Sequence, residues 1–167
     1  MQIPLSAAAV TEAEVKAIYL YNFASFVSWP ASEPGIGQPF CICALGENQV
    51  SRLLPKIIEG EKIQGHPMEF RSITDGAETE HCQILFFASQ DQQLNAKVLH
   101  RVQRRPILTV GEQKGFATQG GHIELGLNGS RVRLTINRPR VEQSGLRISA
   151  KLYRLARVLD KSGPEAP

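Results

Sequence analysis

Residues 83–111, QILFFASQDQQLNAKVLHRVQRRPILTVG, carry the pattern on which the fold turns. After Gln83 the run to Ala88 is continuously apolar, as in a central strand covered on both faces. Residues 90–103 then switch to helical spacing, with Leu94, Val98, Leu99 and Val102 on one side. Beyond Arg105-Pro106, ILTVG reads as a second strand. A strand, helix, strand unit is a crossover, so its two strands run parallel and the chain is α/β.

Upstream, PFCICALG (39–46) is a short apolar strand ended by glycine. NQVSRLLPKIIEG (48–60) follows with helical spacing at Val50, Leu53, Leu54, Ile57 and Ile58, and Pro55 inside it predicts a kinked or shortened helix. PMEFRSI (67–73) alternates as a half-buried strand. Downstream, the glycine-punctuated GEQKGFATQGG (111–121) lacks the GxxxxGK[ST] pattern of a phosphate cradle and opens no helix, so it reads as a turn-rich connection. HIELGL and RVRLTIN are joined by Asn128-Gly129, a strong hairpin signal, which makes the sheet mixed. A last helix is expected over about 144–160, with Ile148, Leu152, Leu155 and Leu159 inward and Arg147, Lys151 and Arg154 on another face.

At the other end, Thr11 and Glu14 form a capping box, and no glycine or proline interrupts residues 11–29, which predicts one long helix. It carries Tyr19, Tyr21, Phe23, Phe26 and Trp29. Asn22, Ser25, Ser28 and Pro30 break the apolar run well short of a membrane span. Val15, Ile18, Phe26 and Trp29 fall on one face and Tyr19, Phe23 and Val27 on the next, a stripe wide enough for a mostly buried core helix. A dimer seam is the other use for such a surface, with Tyr21 the ring expected outside.

The expected architecture is thus a mixed central sheet of about six strands with helices on both faces, ending in an antiparallel hairpin and a C-terminal helix. With 167 residues, 42% of them hydrophobic and 21% charged, the chain fits a single domain over 11–161, with flexible tails at 1–10 and 162–167. Residues 1–10 show neither the basic start nor the apolar core of a secretory signal, so export is either absent or already processed.

Net charge is +3, but unevenly placed: residues 1–100 hold 6 Lys/Arg against 11 Asp/Glu, and residues 101–167 hold 13 against 5. The C-terminal third is therefore where an acidic partner or ligand would meet the chain. No aromatic-interleaved basic stripe accompanies these cations, and nucleic acid is not expected. The three cysteines are Cys41, Cys43 and Cys82. Cys41 and Cys43 share one strand face, either can reach Cys82 if the strands are neighbours, and in a reducing compartment all three would be inert buried thiols. They lack zinc-ligand spacing, the four histidines are scattered, and no nucleophile stands beside a base, so neither metal, cofactor nor enzyme activity is expected.

Six stretches in this order, AIYLYNFASFVSWP, FCICALG, HCQILFFAS, ILTVGEQKGFATQGGHIEL, RVRLTIN and GLRISAKLYRLARV, make the chain resemble the YfiR family of periplasmic regulators from about Lys16 to Val158. The resemblance implies an exported, dimeric, non-catalytic α/β protein that binds the periplasmic sensor region of an inner-membrane diguanylate cyclase and holds it inactive. Cyclic di-GMP output and biofilm formation would fall, and an outer-membrane OmpA-like lipoprotein would sequester the repressor. The resemblance also implies a Cys43–Cys82 disulfide, closing about 40 residues and contributing roughly 2 to 4 kcal/mol. The family's second disulfide falls at 117–124, which here reads ATQGGHIE without cysteine.

The stretch NRPRVEQSGLRISAK is the expected contact surface, with Arg138, Arg140, Val141, Arg147 and Lys151 forming a basic and partly apolar patch suited to an acidic surface. The rival function is a sensor module in which that segment holds a small organic anion, nucleotide or amino acid.

Overall fold

A computed structural model describes residues 10–161, and the two expected tails lie outside the described residues apart from Val10. Helix α1 (Glu12–Phe26) opens with the capping box: the Glu14 N–H donates to Thr11 Oγ1 at 3.1 Å, and the Thr11 N–H donates to Glu14 Oε1 at 2.8 Å. The helix stops three residues before its predicted end. Val27–Ser28 forms a short strand, β1.

Next come β2 (Phe40–Leu45), α2 (Gln49–Ile58, with Pro55 inside), β3 (Lys62–Ile63) and β4 (His66–Ile73). A 3₁₀ turn at Gly76–Thr79 leads to β5 (Ile84–Phe87), α3 (Gln92–Val102) and β6 (Leu108–Gly111). The chain ends in β7 (Ile123–Asn128), β8 (Arg131–Asn137), α4 (Arg138–Gln143), β9 (Arg147–Ile148), α5 (Ala150–Arg154) and β10 (Ala156–Leu159).

Eight strands form one mixed sheet in the order β10-β8-β7-β6-β5-β2-β4-β3. Its middle, β4-β2-β5-β6-β7, is parallel throughout, including the β5–β6 pair of the crossover (Ile84↔Leu108 to Phe87↔Gly111). Successive residues of β2 and β5 point to opposite faces and both faces are covered. Ile42, Ala44, Ile84 and Phe86 meet α1, α2, α4 and α5 through Leu20, Phe23, Leu54, Val141 and Leu152, while Cys43, Leu45, Leu85 and Phe87 meet α3 through Val98 and Val102.

The α/β class and the helices on both faces are as expected; the sheet is larger, and its C-terminal end is built differently. In place of one helix over 144–160 the chain makes β9, five residues of helix, and β10, which pairs parallel with β8 (Ala156↔Leu134 to Leu159↔Asn137). Of the four residues expected inward, Leu152 is buried, Ile148 and Leu159 are half-buried and Leu155 is 63% exposed. The helical spacing is real, but Ser149 caps a fresh turn, its Oγ accepting from the Leu152 N–H at 3.3 Å, and pairing with the edge of β8 outcompetes helix continuation beyond it.

The inward face of α1 also differs. Ala17, Leu20, Phe23 and Ala24, with Val27 just beyond, face the core, and Ile18 is 44% exposed. Alanines permit the close approach to α2 and the sheet, so position rather than ring size selects the buried stripe. Phe26 and Trp29 are half-buried; the Trp29 Nε1–H donates to the Gln83 carbonyl at 3.0 Å and its ring stands edge-on to Phe40. Tyr21 is half-buried too, with its hydroxyl donating to Glu61 Oε1 at 2.8 Å.

Candidate functional site

The basic segment begins where β8 ends. Asn137 is fully buried: its Oδ1 accepts from the Arg140 N–H at 3.2 Å, capping α4, and its Nδ2 donates to the Ala117 carbonyl at 2.8 Å. One turn later α4 is pegged to the sheet by His122. The Thr109 N–H donates to His122 Nδ1 at 2.9 Å, so Nε2 carries the ring proton and faces Ser144 Oγ at 3.1 Å; that hydroxyl donates to the Val141 carbonyl at 2.9 Å. Burial of the ring pushes its pKa down from 6.5 to about 4, so the imidazole is neutral at pH 7.

This scaffold divides the expected contact residues. Val141 points into the core at 1% exposure and cannot meet a partner; the apolar residue among these cations serves packing. Arg140 is half-buried, turned toward α3 with Nη1 donating to Gln103 Oε1 at 3.1 Å, and its Nε is buried without a hydrogen-bond partner among the described residues. Arg138, Arg147 and Lys151 are exposed. The Arg138 guanidinium lies 4.6 Å from the Tyr153 ring centroid and its Nε is 3.8 Å from Asp160 Oδ1. A shallow groove of about 490 Å³ runs there between Arg138 and Arg154, floored by Ile148, Tyr153 and Val158. Arg147 sits on β9, whose antiparallel partner is β1 (Ser28↔Arg147), so the end of α1 and the basic segment form one ribbon.

Cys43 and Cys82 are joined in a disulfide that ties β2 to the residue two before β5, within the core on the α3 side. Cys41 is the remaining thiol, buried, with Arg71 Nη2 at 3.3 Å from its sulfur. Burial raises its pKa, and the Arg71 charge opposes that rise, so it is a protonated, inert core residue.

A second polar region went unpredicted. Lys16, on α1, is only 4% exposed, with Nζ 2.5 Å from Glu12 Oε2 and 2.7 Å from Glu112 Oε2. Burial opposes its charge, but the hydrogen bonds it donates to Glu112 and Glu12 outweigh that and its pKa is raised. Glu112 Oε1 accepts from Asn48 Nδ2 at 2.8 Å, linking α1, the cap of α2 and the loop after β6. The signal in the sequence is a lysine inside an apolar helix together with polar residues in the loops after two of the strands, Asn48 after β2 and Glu112 after β6.

Among the described residues no group of three or more His, Cys, Asp or Glu is arranged to hold a metal ion, and no helix is long and apolar enough to cross a membrane. A family model described as YfiR/HmsC-like matches residues 13–157, from the second residue of α1 into β10. Covering nearly every element of the fold, this match places the chain in the YfiR/HmsC-like family.

Proposed function

We propose that this protein is a periplasmic regulatory protein that binds the periplasmic sensor region of an inner-membrane diguanylate cyclase and represses it, lowering cyclic di-GMP signalling and biofilm formation. The near full-length match to the YfiR/HmsC-like family carries this reading. The groove lined by Arg138, Arg154, Glu142, Ile148 and Val158, with the exposed Arg147 and Lys151 in the same segment outside its lining, supports it, because a basic and partly apolar surface complements an acidic one. In this reading Arg140 and Val141 hold the surface in place, and a homodimer presents it. An outer-membrane OmpA-like lipoprotein competes for the repressor and frees the cyclase. Repression works through protein contact and requires no chemistry by this chain.

The test is a pull-down with the purified cyclase sensor region. Reversing two exposed charges (Arg147→Glu with Lys151→Glu) is expected to weaken capture by about tenfold or more, since each rim charge contributes on the order of 1 kcal/mol and reversal adds repulsion. Capture unchanged by the double reversal removes this surface from the interface.

A further inference from the structure

Among the five parallel strands the chain order is second, first, third, fourth, fifth, so the direction of winding reverses between β2 and β5. In doubly wound sheets the crevice outside the strand carboxyl ends at such a reversal is where ligands bind. A cleft of about 840 Å³ lies along that edge here, reached by the loops after β2, β5 and β6 and floored by the polar face of β7 and β8. Its size is within the range of small-molecule sites.

The charges around it are not evenly satisfied. Two of its three carboxylates are paired within the protein, Glu12 and Glu112 sharing Lys16; the third, Glu124, accepts the Ala117 N–H on Oε1 at 3.0 Å and turns Oε2 toward Gly126, leaving the cleft one cation in excess. Its three other cations, Lys114, Arg133 and Arg157, make no side-chain hydrogen bond or ion pair among the described residues. Arg133 of β8 and Arg157 of β10 share a sheet face, since Arg157 is registered to Thr135, two residues from Arg133. The amino end of α2 also opens on the cleft at Asn48, adding partial positive charge, whereas that of α3 is already capped by the Asp91 carboxylate. Gly126, registered opposite Arg133, leaves the floor open: a Cβ there would meet nothing closer than 3.8 Å.

We infer that this cleft binds a small organic dianion, a dicarboxylate or a phosphate monoester, through the Arg133 and Arg157 guanidinium groups with Lys114 at the rim. Planar guanidinium forks match both oxyanions, and a neutral molecule of the same shape meets no complementary charge. The cleft shares no lining residue with the groove beside Arg138, and Arg157 and Val158 face opposite sides of β10, so the two sites are separate. The inference is independent of the repressor reading.

Titration calorimetry and thermal unfolding of the whole chain at low ionic strength, with succinate, glycerol phosphate and neutral succinamide as probes, test it. Succinate or glycerol phosphate at about 10 mM is expected to raise the unfolding midpoint by several degrees, succinamide to leave it unchanged, and the stronger of the two anions to identify the headgroup. Arg133→Gln with Arg157→Gln, and separately Gly126→Leu, should weaken binding by about tenfold or more, while Arg138→Gln with Arg147→Gln leaves it intact. The two arginines are exposed, so their variant tests the site even if Gly126→Leu fails to fold. Absence of any shift with either anion, a shift that survives loss of both arginines, or one abolished by the Arg138 and Arg147 changes overturns the proposal.

Discussion

Lowering the pH from 7 to 5 should cost this protein about 2 kcal/mol through His122 alone. Its ring is buried, Nδ1 is occupied by the Thr109 N–H, and its folded pKa is about 4 against an ordinary 6.5. A depressed histidine pKa means that the unfolded chain takes up a proton first, so stability is lost as pH falls from about 6.5 to about 4, at about 1.4 kcal/mol per pH unit. Between pH 6.5 and 5 that amounts to about 2 kcal/mol, before most carboxylates titrate, and the full interval contributes about 3 kcal/mol. Urea unfolding at a series of pH values measures it, with His122→Asn as the comparison. The variant should be about 1 to 3 kcal/mol less stable at pH 7, having lost hydrogen bonds to Thr109 and Ser144, and its own curve should be flatter by that 2 kcal/mol. If wild type and variant lose stability in parallel from pH 6.5 to 5, the buried neutral imidazole is not the cause.

Other outcomes follow from packing and covalent structure. Replacing Cys43 and Cys82 together by alanine should cost roughly 2 to 4 kcal/mol in urea unfolding, because the bridge spans a sequence separation of 39, and an equally stable variant would contradict its structural role. Thiol counting in the denatured, unreduced protein should find one reactive group, Cys41; three would show the bridge unformed. A Cβ at Gly121 would lie 2.0 Å from the Phe116 ring, so Gly121→Ala should destabilise by about 1 to 3 kcal/mol and lose most of that penalty in a Phe116→Ala background, a coupling that a double-mutant cycle reads directly. Additive losses would show that the ring and the glycine do not meet.

The crossover at 83–111 was legible because unbroken apolar runs and a 3.6-residue period report burial on both faces of a sheet, a property of the local sequence. β10 was not, since Ile148, Leu152, Leu155 and Leu159 keep helical spacing and only the free edge of β8 makes an extended chain preferable. The β3–β4 hairpin carries only a weak local signal, Gly65: Gln64 and Gly65 both take positive φ, 51° and 85°, as a two-residue hairpin requires, but glutamine is not a residue that favours that backbone. At the candidate site, composition located the cations, but the anchoring of Asn137 to Ala117 and of Ser144 to His122 sets which of them point outward, and those hydrogen bonds join residues 20 and 22 apart in sequence. Lys16 is likewise placed by a distant partner, Glu112, 96 residues away.

Titrating the chain against the membrane-embedded cyclase while following cyclic di-GMP synthesis measures the proposed repression by protein contact. Synthesis should fall to a low plateau as the chain saturates the sensor region, with Arg147→Glu and Lys151→Glu together shifting the curve to higher concentration. Synthesis that stays constant at every concentration of the folded, oxidised protein would rule out repression by this chain.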